Sequence, residues 1–188
     1  ALVQELYSIE TLARVDTLCL DKTGTITEGT MQVDEIVPLC DISQQETEDT
    51  LAALMAALTD ENPTSEAIRA LGHTPPQWEC TDAVSFSSAR KWSGASFRDA
   101  GSFIIGAGEF VMKEDFDRIR ARVEEYSKNG QRVLLLAHCE GAFNNKELPA
   151  AISPLAFILL SDKIRKNAQK TLEYFADQGV TIKVISGD

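Results

Sequence analysis

Apolar positions recur along this chain with two periods, one of strands and one of helices. Val15–Leu20 is a short apolar run rich in β-formers and predicts a strand. It ends in the polar, glycine-bearing loop Asp21-Lys22-Thr23-Gly24-Thr25. Leu155–Leu160 and Val180–Ile185 read as further strands. Arg165–Gln178 has the spacing of an amphipathic helix, with Ala168, Leu172, Phe175 and Ala176 inward and Gly179 as its stop. Gln4–Leu12 reads as a short helix before the first strand. Strand, loop, helix and strand in this order predict βα units of a parallel sheet. Both ends of the chain are therefore expected in one α/β domain.

The middle has a different pattern. Gln44–Leu58 predicts a helix with an Ala- and Leu-rich face, and Thr64–Leu71 a second, capped by Thr64 or Ser65 after Pro63. Strands are predicted over Ala83–Ser87, Ala95–Arg98 and Ser102–Ile105, with Asp99-Ala100-Gly101 as a hairpin turn. Glu114–Lys128 is a strongly amphipathic helix stopped by Asn129-Gly130, and Gln131–His138 is a strand. Hairpins with helices beside them predict an antiparallel α+β domain. The expected organisation is a domain at 37–152 inserted into an interrupted α/β domain at 1–36 and 153–188.

Composition narrows the function. The chain has 188 residues and a formal net charge of −11, the wrong sign for gripping a nucleic-acid backbone. Apolar residues make up 44% and charged residues 25%, which is the make-up of a folded chain. The apolar runs Val133–Ala137 and Ala156–Leu160 are strand-length, well short of the ~18 residues of a membrane span. No signal-peptide pattern opens the chain. It begins without Met and stops after an apolar strand, which reads as a piece of a longer protein. Cys19, Cys40, Cys80 and Cys139 lack the spacing of a zinc site and read as reduced, as in a reducing compartment. His73, His138, Trp78 and Trp92 read as packing residues.

The chemistry concentrates at Asp21. A carboxylate just past the end of a parallel strand stands where α/β sheets place their sites. Lys22 beside it lowers the cost of gathering negative charge. Thr23, Gly24 and Thr25 offer hydroxyls and backbone N–H groups as a phosphate cradle. Such a carboxylate is suited to attacking a phosphoryl group. The same residues could also form an ordinary polar turn.

Cys19-Leu20-Asp21-Lys22-Thr23-Gly24-Thr25-Ile26-Thr27 resembles the phosphorylation motif of the P-type ATPases, cation pumps built on the haloacid-dehalogenase-like fold. Val184-Ile185-Ser186-Gly187-Asp188 resembles the family's phosphate- and nucleotide-contacting loop, with Ser186 where threonine is usual. Asp162-Lys163-Ile164-Arg165 resembles its Asp-x-x-Arg hinge beside the nucleotide. The resemblance implies that Asp21 is phosphorylated by ATP, with Mg²⁺ on its carboxylate and on the Thr23 carbonyl. Lys22, Thr25, Ser186 and Gly187 would belong to the same centre. Soluble phosphatases of this fold carry a second Asp at the position of Thr23. Threonine cannot serve there as general acid and base, so the aspartyl phosphate should persist.

The resemblance extends through the middle. Phe86-Ser87-Ser88-Ala89-Arg90-Lys91 resembles the nucleotide-binding strand and turn, with Phe86 to stack on adenine and Ser88 and Lys91 lining the pocket. Gly106-Ala107-Gly108 resembles the family's Lys-Gly-Ala loop, with Ile105 where lysine is usual. Arg132 matches the arginine that reaches the ATP phosphates. Asn62-Pro63-Thr64-Ser65-Glu66 resembles the segment that meets the adenine amino group, through Ser65 or Glu66. Asp162, Arg165 and Asp188 complete the implied nucleotide contacts.

The fold implied is a partial haloacid-dehalogenase-like α/β domain interrupted by a nucleotide-binding domain with a helix-flanked antiparallel sheet. The implied partners are ATP and the remainder of a pump at the cytoplasmic face of a bacterial membrane. The actuator domain, membrane helices and later phosphorylation motifs are not among these residues. Val3-Gln4-Glu5-Leu6, Lys91-Trp92-Ser93-Gly94 and Ile105 resemble a bacterial subgroup that moves calcium or magnesium. Exposed strand edges in a partial sheet predict either self-association through those strands or disorder at both ends. A soluble phosphatase of the same fold is the alternative.

Overall fold

The computed structural model describes residues 14–141, 143, 147–149 and 151–185. The helix expected at Gln4–Leu12 and the segment Ser186-Gly187-Asp188 lie outside the described residues. The chain divides into two compact units, residues 1–30 with 162–188, and residues 31–161.

In the first unit, β1 (Thr17–Asp21) pairs in parallel with β8 (Thr181–Ile185). Thr17 stands opposite Thr181, and Asp21 opposite Ile185. Helix α5 (Ala168–Asp177) precedes β8, as a βα connection requires.

The second unit is built on a six-stranded sheet of order β2-β7-β6-β5-β4-β3. Its strands are β2 (Thr27–Pro38), β3 (Cys80–Val84), β4 (Trp92–Phe97), β5 (Gly101–Gly106), β6 (Arg132–Cys139) and β7 (Ile152–Ile164). The pairs from β3 through β7 are antiparallel. Helices α1 (Gln44–Ala57) and α2 (Pro63–Arg69) cover one face, through Leu51, Leu54 and Ile68. Helices α3 (Gly108–Met112) and α4 (Asp117–Lys128), with the turn between them, cover the other through Val111, Phe116 and Ile119.

The run Leu155–Leu160 corrects the sequence reading. It was expected in the parallel sheet but pairs antiparallel with β6, Leu135 opposite Phe157. The reason is burial on both faces. Ala156, Ile158 and Leu160 join one core and Phe157 and Leu159 the other, all fully buried. An unbroken apolar run is the pattern of a strand covered on both sides, whichever way its neighbour points.

Strand β2 is not evident from the sequence, because Glu28, Gln32, Asp34 and Glu35 interrupt its apolar Met31, Val33 and Ile36, which break the two-residue period between 33 and 36. The expected boundaries at 36/37 and 152/153 fall inside β2 and β7, and the division into units falls inside the same strands at 30/31 and 161/162. Continuous strands leave no compositional break to read. The cap of α2 is Asn62, not Thr64 or Ser65. Its Oδ1 accepts from the Ser65 N–H at 3.0 Å, and the Ser65 Oγ accepts from the Asn62 N–H at 3.2 Å. Proline fits the first helical position, so the cap stands one residue before it. The helix expected from Glu114 begins at Asp117, after a short turn through Lys113–Phe116.

All four cysteines are free. Cys139 is buried, and desolvation pushes its thiol up to about 11. No described helix is long and apolar enough to cross a membrane.

Candidate active site

Asp21 closes β1 as an exposed carboxylate at the end of a parallel pair. The chain then turns through Lys22–Ile26. Thr23 (φ −78°, ψ 123°) and Gly24 (φ 78°, ψ −13°) have the dihedrals of the two central residues of a type II turn. The second position needs a positive φ, which is why glycine stands there. The Gly24 N–H donates to the Thr27 Oγ1 at 3.1 Å, and the Thr27 N–H donates to the Lys22 carbonyl. Thr27 is buried beneath the loop.

Asp162 and Arg165, expected beside a nucleotide, bond to this loop. Arg165 donates from Nη2 to the Gly24 carbonyl at 2.9 Å and from Nε to the Thr25 carbonyl at 3.0 Å. Its N–H donates to the Ile26 carbonyl at 3.0 Å. Lys22 Nζ lies 3.3 Å from Asp162 Oδ2. Carbonyls of Lys22, Gly24, Thr25 and Ile26 are thus engaged, and Thr23 is not one of the four. An exposed carboxylate and a peptide carbonyl are hard oxygen donors of the kind Mg²⁺ takes. No cluster of three or more His, Cys, Asp or Glu side chains at metal-binding distance occurs among the described residues.

The second unit holds a cavity of about 450 Å³. Met55, Leu58, Ile68, Ile105 and Leu134 give it apolar walls, and Phe86, Lys91, Gly106 and Arg132 also line it. Four residues picked from three stretches of sequence therefore meet at one place. Phe86 is 45% exposed, unusual for a large apolar ring, and so is available to a ligand. Apolar walls with an aromatic ring suit a flat base, and ammonium and guanidinium groups suit an anionic tail.

Local bonds fix the segment that carries Phe86. Its N–H donates to both Asp60 carboxylate oxygens at 3.0 Å. Arg90 Nη2 donates to the Ser85 carbonyl at 2.7 Å, and the Lys91 N–H to the Ser87 carbonyl at 2.7 Å. Lys91 has φ 60°, a left-handed backbone that costs a non-glycine residue roughly 1–2 kcal/mol. It is held there partly by the Ala107 N–H, which donates to its carbonyl at 3.0 Å.

Gly106 has a reason the sequence did not show. A Cβ there would lie 2.5 Å from Trp92 Cβ and 2.6 Å from the Lys91 carbonyl oxygen. Close packing of β4 on β5 requires the glycine, whatever occupies the cavity. Ser88 and Glu66 are exposed and do not line the cavity. Ser65 does, but its hydroxyl already donates to the Asp60 and Asn62 carbonyls at 2.7 and 3.0 Å. Sequence reasoning missed Asp60. It bonds to a residue 26 positions away, so no local pattern marks it.

The haloacid dehalogenase-like hydrolase family profile matches residues 15–188. The calcium-transporting ATPase CtpE of Mycobacterium tuberculosis is 46% identical over 189 residues, covering all of this chain and 24% of that protein. The probable cation-transporting ATPase exp7 of Streptococcus pneumoniae is 40% identical over 190 residues, again covering all of this chain and 24% of that protein. The chain thus spans about a quarter of the length of these relatives.

Among solved structures, a zinc-transporting PIB-type ATPase in its E2.Pi state has the same fold, with a TM-score of 0.72 and 22% identity. That match covers 96% of this chain and 27% of the other. The catalytic domain of the CPx-ATPase CopB-B matches 99% of this chain and 59% of its own, with a TM-score of 0.61 and 18% identity. The chain belongs to the haloacid dehalogenase-like hydrolase family and is homologous to the catalytic region of the cation-transporting P-type ATPases.

Proposed function

We propose that this chain binds ATP and accepts its terminal phosphoryl group within a larger cation-transporting pump. The observation that carries the reading is the cavity, where Phe86, Lys91, Gly106 and Arg132 converge on apolar walls. Phe86 stacks on the adenine, and Lys91 and Arg132 take the phosphates. Asp21 is the nucleophile. One carboxylate oxygen attacks the γ-phosphorus, the new O–P bond forms, and the bond to the β-γ bridging oxygen breaks with ADP as leaving group.

Asp21 and the Thr23 carbonyl are the groups that would hold Mg²⁺, which supplies charge neutralisation on the phosphoryl oxygens when bound. Lys22 and Thr25 complete the loop, and Asp162 and Arg165 hold its shape. Ser186, Gly187 and Asp188 follow β8, which ends opposite Asp21, and are assigned to the phosphate and nucleotide by resemblance. Thr23 offers no general base to a hydrolytic water, so the acyl phosphate persists. That disfavours a soluble phosphatase. The transported ion is proposed to be a divalent cation, calcium being named for the mycobacterial relatives.

Calorimetric titration of ATP into the chain tests the reading. Saturable binding in the high-micromolar to millimolar range is expected. One base stack is worth roughly 1–3 kcal/mol, so Phe86→Ala should weaken binding about tenfold. Equal affinities would remove Phe86 from the site.

A further inference from the structure

We infer that Asp60 is a positioning residue for nucleotide binding, acting through Phe86; this rests on the ATP reading above. Phe86 is exposed, lies in no helix or strand, and would by default sample several orientations. Its backbone is held from one side by a single carboxylate. Both Asp60 oxygens accept its N–H at 3.0 Å.

Asp60 is itself anchored. Its carbonyl accepts from the Ser65 hydroxyl at 2.7 Å and from Arg69 Nη1 at 2.9 Å. Arg69 Nη2 also donates to the Leu58 carbonyl at 2.7 Å. The chain of bonds therefore runs from α2 through Asp60 to the one exposed aromatic ring of the cavity. Asp60 lines the same cavity. Its bond to Phe86 is solvent-accessible, and water could replace it at little cost in stability. A bond that adds little to folding and yet fixes the backbone of a ligand-facing ring acts chiefly on the ligand.

Fixing the backbone that carries the ring removes part of the ordering cost of binding. Asp60→Ala should weaken ATP binding roughly two- to thirteenfold, the factor that corresponds to about 0.5–1.5 kcal/mol of ordering cost. The loss should vanish in a Phe86→Ala background, where there is no ring to position. Asp60→Asn keeps an acceptor oxygen and should recover most of the affinity. The melting temperature should change little in either variant.

A readout without nucleotide separates this inference from the ATP reading. The Phe86 amide should exchange slowly in wild type and Asp60→Asn, and quickly in Asp60→Ala. Equal exchange in wild type and Asp60→Ala would overturn the positioning role while leaving ATP binding intact. So would an Asp60→Ala loss of affinity that persists in full without Phe86, or a loss that follows a collapse in stability. Failure of the wild-type chain to bind ATP would overturn both.

Discussion

Arg165 donates to the carbonyl of Gly24 at 2.9 Å, across 141 positions of sequence. It also holds the Thr25 and Ile26 carbonyls. The segment just before α5 thus sets the shape of the turn that follows Asp21. Glycine supplies the backbone freedom for that turn, and arginine selects one conformation from it. The five-donor fork of arginine reaches adjacent carbonyls that a single ammonium cannot hold together.

Arg165→Ala should therefore loosen the Asp21 loop. Hydrogen bonds from a charged donor to exposed carbonyls are worth about 1 kcal/mol net. Faster exchange of the Gly24 amide and a small drop in urea stability are the expected outcomes. Arg165→Lys should recover part of the stability and little of the protection. Unchanged Gly24 exchange in Arg165→Ala would show that the turn holds its shape by itself.

Asp34 gives a pH dependence with a definite sign. Partial burial pushes its carboxyl up, but hydrogen bonds from Gln32, Gln131 and Ser161 together hold it below its ordinary value of 3.8. A lowered native pKa means the folded state binds the proton less readily than the unfolded chain. The stabilisation is present in full above pH 3.8 and is lost as pH falls through the lower native value. Asp34→Asn should be less stable than wild type at pH 6, and the gap should narrow below pH 3.8. Glu28 and Glu46 shift in the same direction, so both proteins lose stability in acid. Urea titrations at pH 3, 4 and 6 would reveal the convergence. A gap independent of pH would assign Asp34 a role unrelated to its charge.

The sequence was most legible where one residue type does one job. Asp21 at a strand end, Gly24 in a turn and the amphipathic helices could be read from local pattern. Phe86, Lys91, Gly106 and Arg132 were found through resemblance, and the structure brings them to one cavity. What stayed hidden was non-local. The polar side chains of β2 concealed a strand whose partner is more than a hundred residues away. The direction of β7 depends on its neighbour, not on its own apolar run. Asp162 and Arg165 carry charges that suit a nucleotide, and their bonds to the loop after Asp21 could not be read from sequence. The motif leaves Ser65 and Glu66 as alternatives, and capping by Asn62 turns Ser65 inward and leaves Glu66 in solvent.

The first unit should self-associate. Val184 and Ile185 on β8 are 52% and 58% exposed, and Ile164 is 64% exposed. β1 and β8 pair only with each other among the described residues. Exposed strand edges with apolar side chains recruit further strands. Sedimentation should show mass rising with concentration, and Val184→Lys should suppress it by placing a charge on the edge. A wild-type monomer across the range would remove this expectation.

Asp21→Asn tests the centre of the functional reading. The substitution keeps the side chain's shape and removes the nucleophilic charge. In the larger pump proposed above, labelled ATP should leave an acid-stable, hydroxylamine-sensitive phosphoenzyme in wild type and none in the variant. Nucleotide binding should survive or tighten, because one negative charge facing the γ-phosphate is gone. Two charges about 4 Å apart interact by about 1 kcal/mol in water and several-fold more in a partly buried site. Threonine substitutions separate the roles within the loop. Thr23→Asp places a second carboxylate two residues after the nucleophile, where it can activate water, so the phosphoenzyme should form and then decay faster. Thr25→Ala should slow its formation without changing how fast it decays. Phosphate incorporated by Asp21→Asn would show that the nucleophile lies elsewhere, and the strand-end carboxylate would then be a charge on a loop.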